Sequence, residues 1–539
     1  MIEKITKNKL KIAAWIVVLI MTMGSGTHLL RSTIKYDQTR AIIMAVIVFF
    51  VCVAFKLGNP KKKATSFAAP KNMRRYIPLS IIPILLLAIW AANRRIFGQF
   101  DVSAVFFHLT HDLTYKGLSE DVVRFSWYIF FGFVLIACIS YLARRDRRMA
   151  LIEKIFAVVI LTLNPVTTYT FDRFIHPDRN TLNLIDAYHP VEISQFPAKK
   201  KNLLIVYLES LEATFEKDEF GDVFEDLDEM AEEGLRINGI KQVQDTGWTT
   251  AGMAASQCGV PLLSYGLIMR NRMKEVDSFL PNAKCLASEL SENGYQTRYL
   301  GGADLNFAGK DAFLSTHGYQ KTTGLLEIPE DQRGDVNKWG IYDDRLFDLA
   351  FEELRTLSAA DEPFLLSVLT IGPHSPAGYP AKVCYDLIEN ADALDTTLLA
   401  VACTAKMARN FINEAKAEGL LEDTVVVVLS DHLSHKNTQT PNLSKYDREN
   451  FILFLVEDQA PGTLTKPGTM FDLYPTILES MGFSPTENAA GLGTSLLGQA
   501  PTLMEQYGEK VIDLSIRSDK ELREELWNLN PLETSTARP

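Results

Sequence analysis

The chain has 539 residues, with 66 acidic side chains against 55 basic ones and a net charge of -11. That balance argues against a nucleic-acid partner, and the length is too great for one ordinary domain. A hydrophobic content of 47% with a mean hydropathy of +0.02 is high for a wholly soluble protein and excludes a disordered one.

In chain order, the apolar excess comes first. Five stretches stand out, at roughly 12–30, 41–55, 77–92, 125–142 and 155–169, most of them near the length of about 17–25 residues that lets a helix cross a bilayer. The first has too long an apolar core for a cleavable signal, and more spans follow it. Bases cluster ahead of the first stretch (Lys4, Lys7, Lys9, Lys11), between the second and third (Lys56, Lys61, Lys62, Lys63, Lys71, Arg74, Arg75) and between the fourth and fifth (Arg144, Arg145, Arg147, Arg148). The short segment 31–40, with three bases, fits the pattern least well. The positive-inside rule then predicts a multi-pass transmembrane domain over 1–169 with a cytoplasmic amino terminus, and leaves everything afterwards outside the cytoplasm.

Residues 170–201 mix Pro, Asp, His and Lys without periodicity and read as a linker. From 202 to about 500, short β-branched runs alternate with helical stretches. Strands are expected at 203–208, 297–300, 364–369, 425–429 and 451–456, and helices at 223–234, 249–257, 284–293, 311–318, 343–357, 392–418 and 471–482. This alternation predicts an α/β domain, a mainly parallel sheet sandwiched by helices. Beyond it, 501–539 turns charged and reads as a peripheral carboxyl-terminal segment. Cys258, Cys285, Cys384 and Cys403 fall in the outer part. Of their three possible pairings, Cys258 with Cys285 and Cys384 with Cys403 gives the shortest loops, and free thiols in a packed core are the alternative.

Two expected strands end alike. The apolar run 203–208 ends in Glu209-Ser210, and 425–429 ends in Ser430-Asp431-His432. Strand carboxyl ends in an open α/β sheet face the ligand crevice, so Glu209, Asp431 and His432 are candidates to converge on one metal. Two carboxylates and an imidazole suit Zn²⁺ or Mn²⁺. The turn Asp245-Thr246-Gly247-Trp248 leads into a small-residue helix, and Thr249 at its start stands where backbone amides and the helix dipole favour an anion. A cation-assisted Thr249 is therefore a candidate nucleophile for phosphoryl transfer. A simple helix cap is the alternative role, and Thr250 is the rival nucleophile. His374, in Gly372-Pro373-His374, follows a third strand and is a candidate to bind a phosphoryl oxygen or protonate a leaving alcohol. Lys310 is placed to pair with phosphate. His435 either touches substrate or caps a loop, and Trp339 and Asp344 read as structural.

Taken in order, Leu208-Glu209-Ser210, Gly247-Trp248-Thr249, Pro373-His374, Ser430-Asp431-His432 and Asp472-Leu473-Tyr474-Pro475-Thr476-Ile477-Leu478 resemble the membrane-anchored alkaline-phosphatase and sulfatase superfamily. Within it the layout is similar to lipoteichoic acid synthases, phosphoethanolamine transferases and, most of all, the phosphoglycerol transferases of periplasmic glucans. The resemblance implies an alkaline-phosphatase-like fold and one divalent cation, Mn²⁺ or Zn²⁺ with Mg²⁺ the third option, held by Glu209, Thr249, Asp431 and His432. It further implies that Thr249 takes phosphoglycerol from the membrane phospholipid phosphatidylglycerol, releases diacylglycerol and passes the group to a glycan, with His374, Lys310 and His435 binding substrate. Phosphatidylethanolamine as donor and a glycerolphosphate polymerase are the alternatives. Lys310 stands where lipoteichoic acid synthases have Arg, which removes a bidentate grip on phosphate. Cys258-Gly259-Val260-Pro261-Leu262 lacks the C/S-x-P-x-R signature of sulfatases, so sulfate ester hydrolysis is not expected.

Overall fold

The computed structural model describes residues 79–97, 133, 136, 147–164, 167, 181–263, 279–457, 459–519 and 521–528. The expected spans at 12–30 and 41–55, and nearly all of 125–142, lie outside them. The other two overlap helices α1 (Ile81–Phe97) and α2 (Arg147–Leu163), each of 17 residues. No helix among the described residues is long and apolar enough to cross a membrane. Buried Glu153 of α2 accepts a hydrogen bond from Ser80 N at 2.7 Å, at the start of α1.

An eight-stranded sheet organises the rest. Its strands are β1 (Asn202–Leu208), β2 (Leu235–Lys241), β3 (Gln296–Gly301), β4 (Lys321–Thr323), β5 (Phe364–Leu369), β6 (Thr424–Ser430), β7 (Ile452–Leu455) and β8 (Gly462–Thr469), in the spatial order β4-β3-β5-β1-β6-β7-β2-β8. All neighbours run parallel except that β7 is antiparallel to both β6 and β2. The reversal is local. The chain leaves β6, makes the loop 431–450 at the carboxyl edge and returns beside the strand it has just left, which a parallel crossover does not permit.

β1, β5 and β6 have both faces covered, which is why they are unbroken apolar runs. The pleat sends alternate side chains to opposite cores. Leu203, Ile205 and Tyr207 enter one core with residues of α4 (Thr249–Cys258), α5 (Leu286–Glu292), α6 (Lys310–Thr316) and α9 (Leu473–Ser480). Leu204, Val206 and Leu208 enter the other with residues of α3 (Glu225–Ala231), α7 (Asp343–Ser358) and α8 (Thr396–Ala417). Helix α8 starts at Thr396, later than expected, because Asp395 caps it by accepting from Leu398 N at 2.9 Å. Both short-loop disulfides are formed, Cys258–Cys285 and Cys384–Cys403.

Two segments read as accessory are built into this body. Leu184, near the middle of the expected linker, is fully buried and donates its amide to Asp519 Oδ2 at 2.6 Å. The chain after 500, expected to be peripheral, forms helices Leu503–Tyr507, Glu509–Ser518 and Glu521–Leu526. Ile512, Ile516, Leu522 and Leu526 are fully buried in the first core, and Trp527 Nε1 donates to Leu263 O at 2.9 Å. Few apolar residues on short charged helices were enough, which is why the pattern was hard to see.

Candidate active site

The register of β1 against β6 sets Leu208 level with Ser430. One residue on, Glu209 and Asp431 therefore stand side by side at the carboxyl edge of the sheet. Ser210 N donates to Asp431 Oδ1 at 2.9 Å, and Ser210, with φ 56°, turns the chain back so that its Oγ donates to Glu209 Oε1 at 2.7 Å. His432 Nε2 lies 3.5 Å from Glu209 Oε1 and 3.3 Å from Asp431 Oδ2. One ligand atom from each of Glu209, Asp431 and His432 falls within 4.8 Å of the others, and all three residues are buried.

Helix α4 brings the fourth candidate. Trp248 occupies its cap position with extended backbone, Thr249 opens the helix, and Thr249 Oγ1 donates to Glu209 Oε2 at 3.2 Å. The hydroxyl of Thr249 is thus directed at the cluster and does not cap the helix. Thr250 is fully buried and donates to Ala308 O at 3.2 Å, away from the cluster, so Thr249 is the hydroxyl at the site. Gly252 explains how the helix comes so close: a Cβ there would sit 1.9 Å from Asp431 O. Only a residue without a side chain lets α4 rest on the end of β6.

Of the remaining candidates, His435 stacks on His432 with ring centroids 4.5 Å apart and gives Nε2 to Gly247 O at 2.7 Å, which leaves only Nδ1 for a ligand. His374 is partly exposed, and its Nδ1 lies 2.8 Å from Ser375 O, which leaves Nε2 available. Lys310 is 4% exposed at the start of α6, and the charges of Glu209 and Asp431 both act on it. Asp344, by contrast, donates nothing to this cluster; its Oδ1 accepts from Arg345 N at 2.8 Å. Behind the loop after β6, Glu212 pairs with Arg448 and accepts from Ser434 N at 2.8 Å.

Two further residues stand beside the site: Trp339, which the sequence reads as structural, and Asp343, which it does not single out. The Trp339 ring packs against His374 at a tilt, with centroids 3.9 Å apart and the planes at 36°, and buried Asp343 holds the loop that carries His374. The only signal for them was their place in the Trp339–Asp344 stretch.

The electrostatics fit a dication. Burial, followed by the charge of Glu209, pushes Asp431 above the usual carboxylate range. Burial acts the same way on Glu209, but His374 and His432 outweigh it and hold Glu209 low. Adjacent buried carboxylates oppose each other's ionisation, and a bound divalent cation removes that conflict. Asp431 Oδ2 is buried and makes no hydrogen bond, a costly arrangement unless the oxygen serves as a ligand. Burial lowers His374 and Lys310, in both cases against the pull of Glu209, and lowers His435 to about 3, so that its ring stays neutral.

Comparison with known proteins shows the family of the chain. A family model described as sulfatase matches residues 201–483, slightly more than half of the chain. Phosphoglycerol transferase I of Xanthomonas euvesicatoria pv. vesicatoria (strain 85-10) is 31% identical over 431 residues, covering 77% of this chain and 60% of that protein. Phosphoglycerol transferase I of Escherichia coli O127:H6 (strain E2348/69 / EPEC) is 32% identical over 410 residues, covering 74% of this chain and 53% of that protein. The chain therefore spans little more than half the length of these relatives. Among solved structures, the lipoteichoic acid synthase LtaP from Listeria monocytogenes is 21% identical with a TM-score of 0.46, over 58% of this chain and 81% of that one. A protein in the alkaline phosphatase superfamily from Vibrio parahaemolyticus is 24% identical with a TM-score of 0.47, over 59% and 74%. Cys258 is bonded to Cys285 and offers no free thiol. With its parallel strands ending in Glu209 and Asp431-His432 and its family match running from β1 past α9, the chain belongs to the sulfatase family and has its alkaline-phosphatase-like α/β fold.

Proposed function

We propose that the chain transfers phosphoglycerol from phosphatidylglycerol to a periplasmic or cell-surface glycan through a covalent intermediate on Thr249. The observation that carries this reading is the partly exposed Thr249 hydroxyl at the amino terminus of α4, 3.2 Å from a carboxylate of the buried acid cluster. The relatives named phosphoglycerol transferase I supply the transferred group. Glu209, Asp431 and His432, with Thr249, would hold one divalent cation, Mn²⁺ or Zn²⁺ with Mg²⁺ the third option. Bound there, it would supply positive charge that eases ionisation of a hydroxyl and screens phosphoryl oxygens.

The protein's own groups account for the proton movements. Thr249 Oγ1 bonds to phosphorus while its proton leaves along the hydrogen bond to Glu209. The bond from phosphorus to the diacylglycerol oxygen breaks, and that oxygen takes a proton relayed from solvent through Nε2 of the partly exposed His374, which is left neutral again. In the second half, an acceptor hydroxyl passes its proton to the now neutral His374 and bonds to phosphorus. Thr249 is released and regains its proton from Glu209. Lys310 offsets charge on the phosphoryl oxygens, and the remaining nitrogen of His435 faces the same group. The apolar amino-terminal third would anchor the enzyme in the inner membrane beside its lipid donor, with the catalytic domain on the periplasmic side, where two disulfides are at home.

Incubation with Mn²⁺ and phosphatidylglycerol, without acceptor, should add one phosphoglycerol unit to the peptide containing Thr249. Thr249→Ala should lose both that adduct and diacylglycerol release. An adduct on another residue, or undiminished release by the variant, would overturn the proposal. Phosphatidylethanolamine run in parallel should turn over more slowly.

A further inference from the structure

We infer that Asp343 is a positioning residue that presents His374 to the reacting group, an inference that rests on the role proposed above for His374. Asp343 is 1% exposed at the first turn of α7, yet its carboxylate caps none of that helix's own amides. Its donors come from elsewhere. Oδ1 accepts from Ile371 N at 2.8 Å, and Oδ2 accepts from Gly372 N at 2.9 Å and from Thr404 Oγ1 of α8 at 2.7 Å. A buried carboxylate is expensive, and this one is directed at the turn that leaves β5 and carries His374. Gly372 completes the fit: a Cβ there would lie 2.4 Å from Asp343 Oδ2 and 2.5 Å from Thr404 Oγ1.

The imidazole is fixed from two directions, the first through the turn that this carboxylate holds. Ile371 and Gly372 lead directly into His374, whose own amide donates to Ile371 O at 3.1 Å and closes the turn. Four residues before Asp343, Trp339 packs its ring on the imidazole, and Ile341 N donates to Gly302 O at 3.0 Å to hold that loop against the end of β3. With Nδ1 engaged by Ser375 O, the direction of Nε2 is set by this turn and this ring. Asp343 acts on the reaction only through that turn.

The test is a double-mutant cycle on the full-length protein, following diacylglycerol release against phosphatidylglycerol concentration. Asp343→Asn replaces one acceptor oxygen with a group that cannot receive an amide. It should lower kcat by about 100-fold, as expected when a reacting group is misplaced, while KM stays within about twofold. In a His374→Ala background the same change should have no further effect on kcat. Thr404→Val leaves both amide bonds in place; it should fall between wild type and Asp343→Asn and lose its effect in the same background. If Asp343→Asn fails to fold, Thr404→Val carries the cycle alone. Equal losses in both backgrounds, or an unchanged kcat in the substituted protein, overturn the inference and leave the role of His374 standing. A His374→Ala protein with wild-type turnover overturns both.

Discussion

Two buried carboxylate centres at the same sheet are put to opposite uses. At the end of β8, Asp472 has every oxygen engaged: Oδ2 accepts from Thr469 N at 2.7 Å and from Thr469 Oγ1 at 3.2 Å, and Oδ1 accepts from Thr494 N at 2.8 Å. Lys466 nearby is equally occupied, donating to the carbonyls of Ser495, Gly498 and Ala500. At the ends of β1 and β6, Asp431 is no more exposed than Asp472, yet its Oδ2 makes no hydrogen bond and lies 3.3 Å from Nε2 of the adjacent His432. A satisfied carboxylate locks a chain crossing, whereas one left with an unused oxygen among like charges has ligand capacity in reserve. Burial alone does not separate structure from function; the fate of each oxygen does.

Three substitutions sharpen that contrast. The largest effect is expected for Glu209→Gln, which removes a charge from the open centre. Turnover should fall by about a thousandfold, roughly 4 kcal/mol. A thermal scan should also show that the wild type gains about 2.7 kcal/mol at a hundredfold excess of Mn²⁺ over its Kd and that the variant does not. If both proteins respond equally to Mn²⁺, the centre holds no cation. Next comes Gly252→Ala, whose new methyl must push α4 away from Asp431 O. Turnover should drop by about 100-fold through displacement of Thr249, and wild-type rates would show that the close approach is not needed.

The smallest effect tests the closed centre. Burial raises Asp472 to about 6, from 3.8, in spite of the bonds from Thr469 and Thr494. The folded protein therefore holds this proton more tightly than the unfolded chain does. Stability is fully present below pH 3.8 and is lost as pH rises through 6, by about 2 kcal/mol between pH 4 and pH 7. Asp472→Asn lacks that slope, so urea unfolding at the two pH values should show the wild type losing ground to the variant as pH rises. Parallel behaviour of the two proteins would mean that Asp472 stays ionised throughout.

How much of this could be read from the sequence depended on where the information lay. β5 occurs at Phe364–Leu369, as expected, and β1 and β6 within a residue or so, because a strand buried on both faces must be apolar along its whole length. β2, β4 and β8 were missed. Arg236, Asn238, Lys321 and Lys466 break any apolar pattern, and these strands exist through their partners, with Pro467 tolerated in an edge position. Glu209, Thr249, Asp431 and His432 were legible because each directly follows a strand or opens a helix, so local pattern gives their position in space. Trp339 and Asp343 were not. They act by bridging loops well separated in the chain, and nothing in the Trp339–Asp344 stretch names the partner.

The closing helices carry one further consequence. Because Ile512, Ile516, Leu522 and Trp527 roof the same core that holds α4, that core stays open along one side until residue 527 has been synthesised and is free to fold. Docking is then a late, long-range event that must wait on nearly the whole polypeptide. A shortened version ending at 500 would leave a greasy trough where Leu184 and Leu263 now find cover, and would be prone to clumping even though every group of the reaction centre is present.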